Sequence, residues 1–324
     1  MLYPARSILI VDVSPFGRSL ALLPAMKVLR EAYSNAFIAA AASTGVCELL
    51  IGAGLVTETI DLGVIKPVGG DSFKRIVRLI KNGRRLNFDL VIDFAPRPET
   101  QFLSRLVLRT RTISAARLPL VIEFLAGGKS KREGERPPDY ESVLGKLGLE
   151  SGSNRIVITP PQEENARFEE RLSRSGFRGG EPIVVLYTAG GPGAWPVASF
   201  AEIAHRLANN FNARIVIADE PSDRSLTSSF ESLAPSTAIP LAEPRALELM
   251  AAVARASVLI TDEPNLGTVA MGMGTPVVDV AEPGHPAHRG VPGSKLAGLT
   301  TEEAYDEAAE ILQESRSTSL FRNS

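Results

Sequence analysis

The chain has 324 residues, 44% of them apolar and 22% charged, which is ordinary globular composition and enough length for two domains, each with its own core. One cysteine, Cys47, rules out an intrachain disulfide and suits a reducing, cytoplasmic compartment; with only three histidines, it also rules out a zinc site of the usual kind. The net charge of −2 is unevenly divided. Residues 1–150 hold 21 Lys and Arg against 15 Asp and Glu, a net of +6, and residues 151–324 carry a net of −8. A basic first half points to an anionic partner or an anionic membrane surface, set against the plain alternative of a solvated face.

The first apolar run, Ser7 to Val13, meets Asp12 too soon to span a membrane and reads as a β-strand. Leu20 to Ala32 has apolar residues at helical spacing, Ala36 to Ala42 is the next strand, Glu48 to Ala53 is helical, and Thr57 to Leu62 is a short strand. Phe73 to Leu86 reads as a basic amphipathic helix and Asp89 to Phe94 as a buried strand. Gly127 to Pro138 has no large apolar residue and reads as an exposed loop.

The pattern then restarts. Arg155 to Thr159 is expected as a strand, Gln162 to Ser175 as a helix, and Ile183 to Tyr187 as a strand that runs into the glycine-rich turn Thr188 to Gly193. Ser199 to Phe211 is expected as a helix, with Ser199 and Glu202 as a capping box. Arg214 to Ala218 is a strand, Ala246 to Ala256 a helix and Val258 to Thr261 a strand. Asp262 to Gly267 reads as a loop and Val269 to Met273 as a helix, its start placed near Asn265, with Gly272 and Gly274 allowing it to pack close to the next strand, Pro276 to Val280. Thr300 caps a final acidic helix to about Leu312, before a frayed tail.

Strands alternating with helices imply parallel sheets covered on both faces, and the pattern occurs twice. The expectation is an α/β protein of two Rossmann-like doubly wound domains, residues 1–155 and 156–324, facing each other across a cleft. The last helix, about 300–314, is expected at their junction. Ligands of such sheets bind beyond the carboxyl ends of the strands. The loops that matter therefore follow Val13, Phe94, Tyr187, Ala218 and Thr261.

The turn Ser14 to Ser19 has a single glycine, so the three-glycine dinucleotide fingerprint is absent, as are a Walker-type loop, a Gly-x-Ser-x-Gly elbow and a His-Glu-x-x-His pair. At Thr188, Ala189, Gly190 and Gly191, backbone N–H groups are positioned to bind phosphate oxygens; a purely structural turn is the competing reading. Trp195 reads as a helix anchor. Glu220 and Asp223 follow a strand and suit ribose hydroxyls or helix capping. The helix near Asn265, preceded by Glu263 and Pro264, would aim its positive end at a diphosphate.

The order of these motifs resembles glycosyltransferase family 9, the bacterial heptosyltransferase family of lipopolysaccharide assembly, from Ile8 to about Leu312. The matching stretches are Ile8 to Arg18 leading to Leu23-Pro24-Ala25, Phe88 to Asp93, Thr188 to Pro196, Glu263 to Ala270, and Met273 to Val277. The resemblance implies paired Rossmann-like domains, with a nucleotide-diphospho-sugar bound by the second and an anionic glycan or glycolipid acceptor by the first. It implies inverting transfer without a metal or other cofactor, no role for nucleic acid, and peripheral association with the inner face of a membrane. Arg18 and Arg97 fall on the acceptor side.

The departures are chemical. The family's base Asp falls at Arg18 and a family Arg at Asp12; its Lys before Trp-Pro has no counterpart in Gly193-Ala194; its nucleotide-motif Asp, Gly and His fall at Glu263, Asn265 and Thr268. Arginine stays protonated and cannot act as a base. Two readings follow: a rearranged enzyme using Asp12 or Asp93 as base, or a non-catalytic module that binds a nucleotide sugar or a partner.

Overall fold

The computed structural model describes residues 4–64, 87–95, 100, 111–114, 140–150, 158–190, 194–221, 226–229, 238–241, 245–281 and 298–322. The chain divides into two compact units, Met1–Arg155 and Ile156–Ser324. The expected helix Phe73 to Leu86 and loop Gly127 to Pro138 lie outside the described residues, as does most of the strand expected at Arg155 to Thr159.

The first unit holds β1 (Ser7–Val11), α1 (Phe16–Ser19), α2 (Leu22–Ala32), β2 (Phe37–Ala42), α3 (Thr44–Gly52), β3 (Glu58–Asp61), β4 (Leu90–Asp93), β5 (Arg111–Ser114) and α4 (Tyr140–Lys146). Its five strands are parallel, in the order β3-β2-β1-β4-β5. Alanine is a poor strand former, yet Ala39 to Ala42 of β2 are almost wholly buried. They hold an inner position between β1 and β3, with Ala39 and Ala41 packing beside Leu9, Val11, Ile60 and Val91. Here burial overrides local preference. Helix α3 begins at Thr44, one turn ahead of the expected Glu48, because Ser43 turns the chain out of β2 in an extended conformation. Cys47 is buried on that helix, and burial pushes its thiol up to about 12, so it acts as a small apolar group.

The second unit holds α5 (Gln162–Arg174), β6 (Ile183–Thr188), α6 (Val197–Phe211), β7 (Arg214–Asp219), β8 (Ile239–Pro240), α7 (Ala246–Arg255), β9 (Val258–Thr261), α8 (Pro264–Gly272), β10 (Val277–Asp279) and α9 (Thr301–Arg322). Its strands are also all parallel, in the order β10-β9-β6-β7-β8. Counted within each unit, both sheets follow the same order, third-second-first-fourth-fifth. In each, chain direction switches sides next to the first strand, so the topological switch points lie between β1 and β4 and between β6 and β9. Val184, Leu186, Ile215, Ile217, Val258 and Ile260 share a core with Phe200, Ile203 and Leu207 of α6 and with Ala304, Ala308 and Leu312 of α9.

Three local expectations change. Helix α6 starts at Val197 with Pro196 as N-cap, not at a Ser199 capping box. Proline supplies the φ of −59° that opens the helix, and Ser199 instead accepts a hydrogen bond from Thr301. Thr300 does cap α9 with Glu303 in a reciprocal capping box, and that helix continues to Arg322. The close approach of α8 to its sheet is made by Gly267. A Cβ there would lie 3.2 Å from Val277 Cγ1, whereas Gly274 ends the helix at φ +88° with open space around it.

This packing sets a prediction. Gly267→Val should lower stability by about 1–3 kcal/mol through overpacking against Val277. Gly267→Ala should be close to neutral, because its helix-propensity gain of about 1 kcal/mol offsets the tight contact. Urea unfolding of both variants checks the contrast.

Candidate functional site

In the second unit the switch point is organised by Asp262, the residue immediately after β9. Its carboxylate accepts three hydrogen bonds: from the Thr188 hydroxyl at 2.8 Å, from the Ala189 amide at 2.7 Å and from the Trp195 amide at 3.0 Å. Thr188 Oγ1 in turn accepts from the Gly190 amide at 3.1 Å. Two of the four turn residues expected to offer amides to a phosphate, Ala189 and Gly190, therefore have those amides engaged by the chain's own side chains. Burial raises the Asp262 carboxyl above the usual range, and its three bonds pull the other way. Sequence reading missed this residue because it aligned the acidic position of the motif on Glu263. The signal available was an Asp directly after a buried strand at a switch point, the same signal that singled out Asp12 and Asp93.

Glu263, 5% exposed, is the N-cap of α8. Its Oε1 accepts from both the backbone amide and the side-chain amide of Asn265, at 3.1 and 2.8 Å. Pro264 has no N–H to offer, and the Thr268 hydroxyl donates back to the Pro264 carbonyl at 3.0 Å. Glu220 follows β7; its carboxylate accepts from the Tyr187 hydroxyl at 3.0 Å, and both side chains are buried. Glu220, Asp262 and Glu263 thus form a buried acidic group around Tyr187. Burial first, then Glu220 and Asp262 as neighbouring charges, push the Glu263 carboxyl up to about 7. Burial and the same carboxylates hold the Tyr187 hydroxyl well above its ordinary value. The preceding Asp219 bonds the amides of Leu226 and Thr227, opening the short helical turn at 226–229. Gly191 and Asp223 lie outside the described residues.

Trp195 anchors as expected. Its ring stands edge-on to Phe200 at 5.0 Å, and its indole N–H donates to the Leu299 carbonyl at 3.1 Å. Leu299 leads into α9, which is clasped to α6 where Arg206 forms a two-pronged ion pair with Glu302 and stacks 3.6 Å over the Tyr305 ring.

In the first unit, Asp12 and Asp93 occupy the equivalent place. Val11 pairs with Asp93 across β1 and β4, so the two carboxylates leave neighbouring strand ends. Asp12 is fully buried and accepts from the Ser14 amide at 3.0 Å, shaping the turn after β1. Asp93, 1% exposed, accepts from the Thr100 hydroxyl at 2.7 Å. Arg18 sits on α1, and its carbonyl accepts from the Tyr140 hydroxyl at 3.5 Å; the Tyr140 ring lies 5.3 Å from that of Phe94. Arg97 lies outside the described residues.

Among the described residues no group of three or more His, Cys, Asp or Glu is placed to hold a metal ion. A groove of about 460 Å³ between α5 and α7 carries Arg167, Arg171 and Arg245, but these pair with Glu164 and Glu248 of the same helices. Its charges satisfy one another.

The chain has the fold of the family 9 glycosyltransferases. The structure of a glycosyl transferase of family 9 from Veillonella parvula superposes with a TM-score of 0.72 at 19% identity, covering 95% of this chain and 98% of that one. E. coli ADP-heptose lipopolysaccharide heptosyltransferase II matches with a TM-score of 0.64 at 14% identity over 96% and 99% of the two chains. A putative UDP-N-acetylglucosamine 2-epimerase from Listeria monocytogenes matches with a TM-score of 0.57 at 12% identity over 97% and 90%. No family model and no curated protein matches the sequence. The resemblance read from the motifs thus holds in three dimensions over nearly the whole chain, at the level of the fold.

The raised Glu263 carboxyl predicts how stability varies with pH. Unfolded, its carboxyl returns to about 4.3; folded, it stands at about 7. The folded chain then binds the extra proton, so this contribution is fully present below the unfolded value and is lost as pH rises through about 7. The melting temperature should fall between about pH 5 and pH 8, and fall less in Glu263→Gln. Calorimetric melts of both proteins across that range check the difference.

Proposed function

We propose that the protein is a glycosyltransferase that moves a sugar from a nucleotide-diphospho-sugar to a glycan or glycolipid acceptor with inversion at the anomeric carbon. The observation that carries this reading is the near-complete match of both sheets to family 9 transferases, with the acidic and glycine-rich segments gathered at a switch point, where such folds receive ligands. One structure of the same fold is an E. coli heptosyltransferase with ADP-2-deoxy-2-fluoro heptose, matching at a TM-score of 0.56 and 18% identity.

On this reading the second unit holds the donor. Thr188, Ala189, Gly190 and Gly191 form the turn beneath it, Glu220 and Asp223 meet ribose hydroxyls, and Glu263, Pro264, Asn265 and Thr268 surround the diphosphate at the tip of α8. The first unit holds an anionic acceptor, with Arg18 and Arg97 as its counter-charges. Asp12 or Asp93 takes the proton of the acceptor hydroxyl as its oxygen attacks the anomeric carbon and the nucleoside diphosphate leaves. No metal is required by this scheme, and no nucleic acid takes part. The basic first half suits work at the cytoplasmic face of an anionic membrane, with peripheral attachment. Among the described residues no helix is long and apolar enough to cross a membrane.

Incubation with a panel of ADP-, UDP- and GDP-sugars should release nucleoside diphosphate, through transfer or slow hydrolysis. Replacing the base, by Asp12→Asn or Asp93→Asn, should lower kcat about a hundredfold or more, while the other substitution should have a smaller effect. Silence across the panel with folded protein overturns the transferase reading.

A further inference from the structure

The amino end of α8 already carries an anion of its own. Pro264 has no N–H, the Asn265 amide donates to Glu263 Oε1 at 3.1 Å, and the Asn265 side-chain amide donates to the same oxygen at 2.8 Å. The nearby turn is closed in the same way, with the Ala189 amide on Asp262 and the Gly190 amide on Thr188. Among the described residues, the amides of Ala189, Gly190 and Asn265 at this switch point are held by side chains, two of them by carboxylates.

We propose that Glu263 is an internal competitor for the diphosphate, occupying the amino end of α8 until it is neutralised or displaced. The proposal rests on the donor-site reading above and deepens it with a means of regulation. Glu263 lies beside Glu220, placed after β7, Asp262, placed after β9, and the hydroxyl of Tyr187 on β6. These groups are anionic or neutral. A diphosphate arriving there meets like charge in a buried setting, where repulsion is poorly screened. One proton on Glu263 removes the closest charge. It also turns the carboxyl into a hydrogen-bond donor toward a phosphate oxygen. Burial and the two neighbouring carboxylates bring that proton within reach at about pH 7. Donor binding is then coupled to proton uptake at Glu263.

The test is calorimetric titration of the full chain with ADP-, UDP- and GDP-glucose at pH 6 and pH 8. A sugar-linked diphosphate is esterified at both ends and does not itself titrate in this range. The expected result is affinity about tenfold weaker at pH 8, with proton uptake on binding that is visible in buffers of different ionisation enthalpy. Glu263→Gln keeps an oxygen for Asn265 without the charge, so it should bind at pH 8 as tightly as the wild type does at pH 6 and lose the pH trend. Equal wild-type affinity at both pH values overturns the competitor role and leaves the donor site standing. The same trend persisting in a folded Glu263→Gln also overturns it. No binding of any of the three sugars by either protein at either pH overturns both the competitor role and the donor site. If the variant fails to fold, the wild-type comparison with its proton count decides alone.

Discussion

The carboxylate of Asp262 is the constraint on which the second unit's switch point depends. A buried carboxylate is costly unless its oxygens are bonded. Here the hydroxyl of Thr188 and the amides of Ala189 and Trp195 satisfy it. Those three groups come from the end of β6, the turn that follows it and the approach to α6. One side chain therefore fixes where the glycine-rich turn begins and where the next helix can start. Trp195, held by its amide, passes the constraint on: its indole fixes Leu299, and Leu299 sets the entry of α9.

The same arrangement recurs in the first unit with different residues. Asp93 ends β4 and holds Thr100, and Asp12 follows β1 and holds the Ser14 amide. Parallel strands leave their carboxyl ends together at one edge of the sheet, and each chain must turn there into a helix. Turns of that kind expose amides, and short acidic side chains satisfy them. A carboxylate at such a strand end therefore serves structure first. Asp12 and Asp93 become candidates for proton transfer because they also share one switch point.

Much of the architecture was legible in the sequence. Ile183 to Tyr187 and Val258 to Thr261 read as strands because short runs rich in Val and Ile suit a sheet buried on both faces. Thr300 read as the cap of an acidic helix, and in the structure Glu303, three residues on, completes the capping box within the same turn. Ser199 offered the same local signal and misled, because Pro196 opens the helix earlier and Thr301, 102 residues away, bonds the Ser199 hydroxyl. Gly274, one of the two glycines read as allowing close packing, misled for a related reason. Close approach depends on which face of α8 meets β10, and that face carries Gly267.

The sequence by itself determined the alternation of strands and helices, the repeat of that alternation after residue 150, and the segments that end at strand tips. These follow from local periodicity and from the small set of turns that glycine, proline and short acidic residues favour. Only the tertiary structure decided what those tips do. Whether the Ala189 amide faces a ligand or a carboxylate of its own chain depends on Asp262, 73 residues away, lying at the end of a strand about 4.8 Å from its neighbour in the sheet; the charge of the carboxyl that caps Asn265 depends on burial, which raises Glu263 to about 7. Neither register nor desolvation is a property of any single segment. They arise when the sheet closes around β6 and sets Asp262, Glu263 and Glu220 side by side.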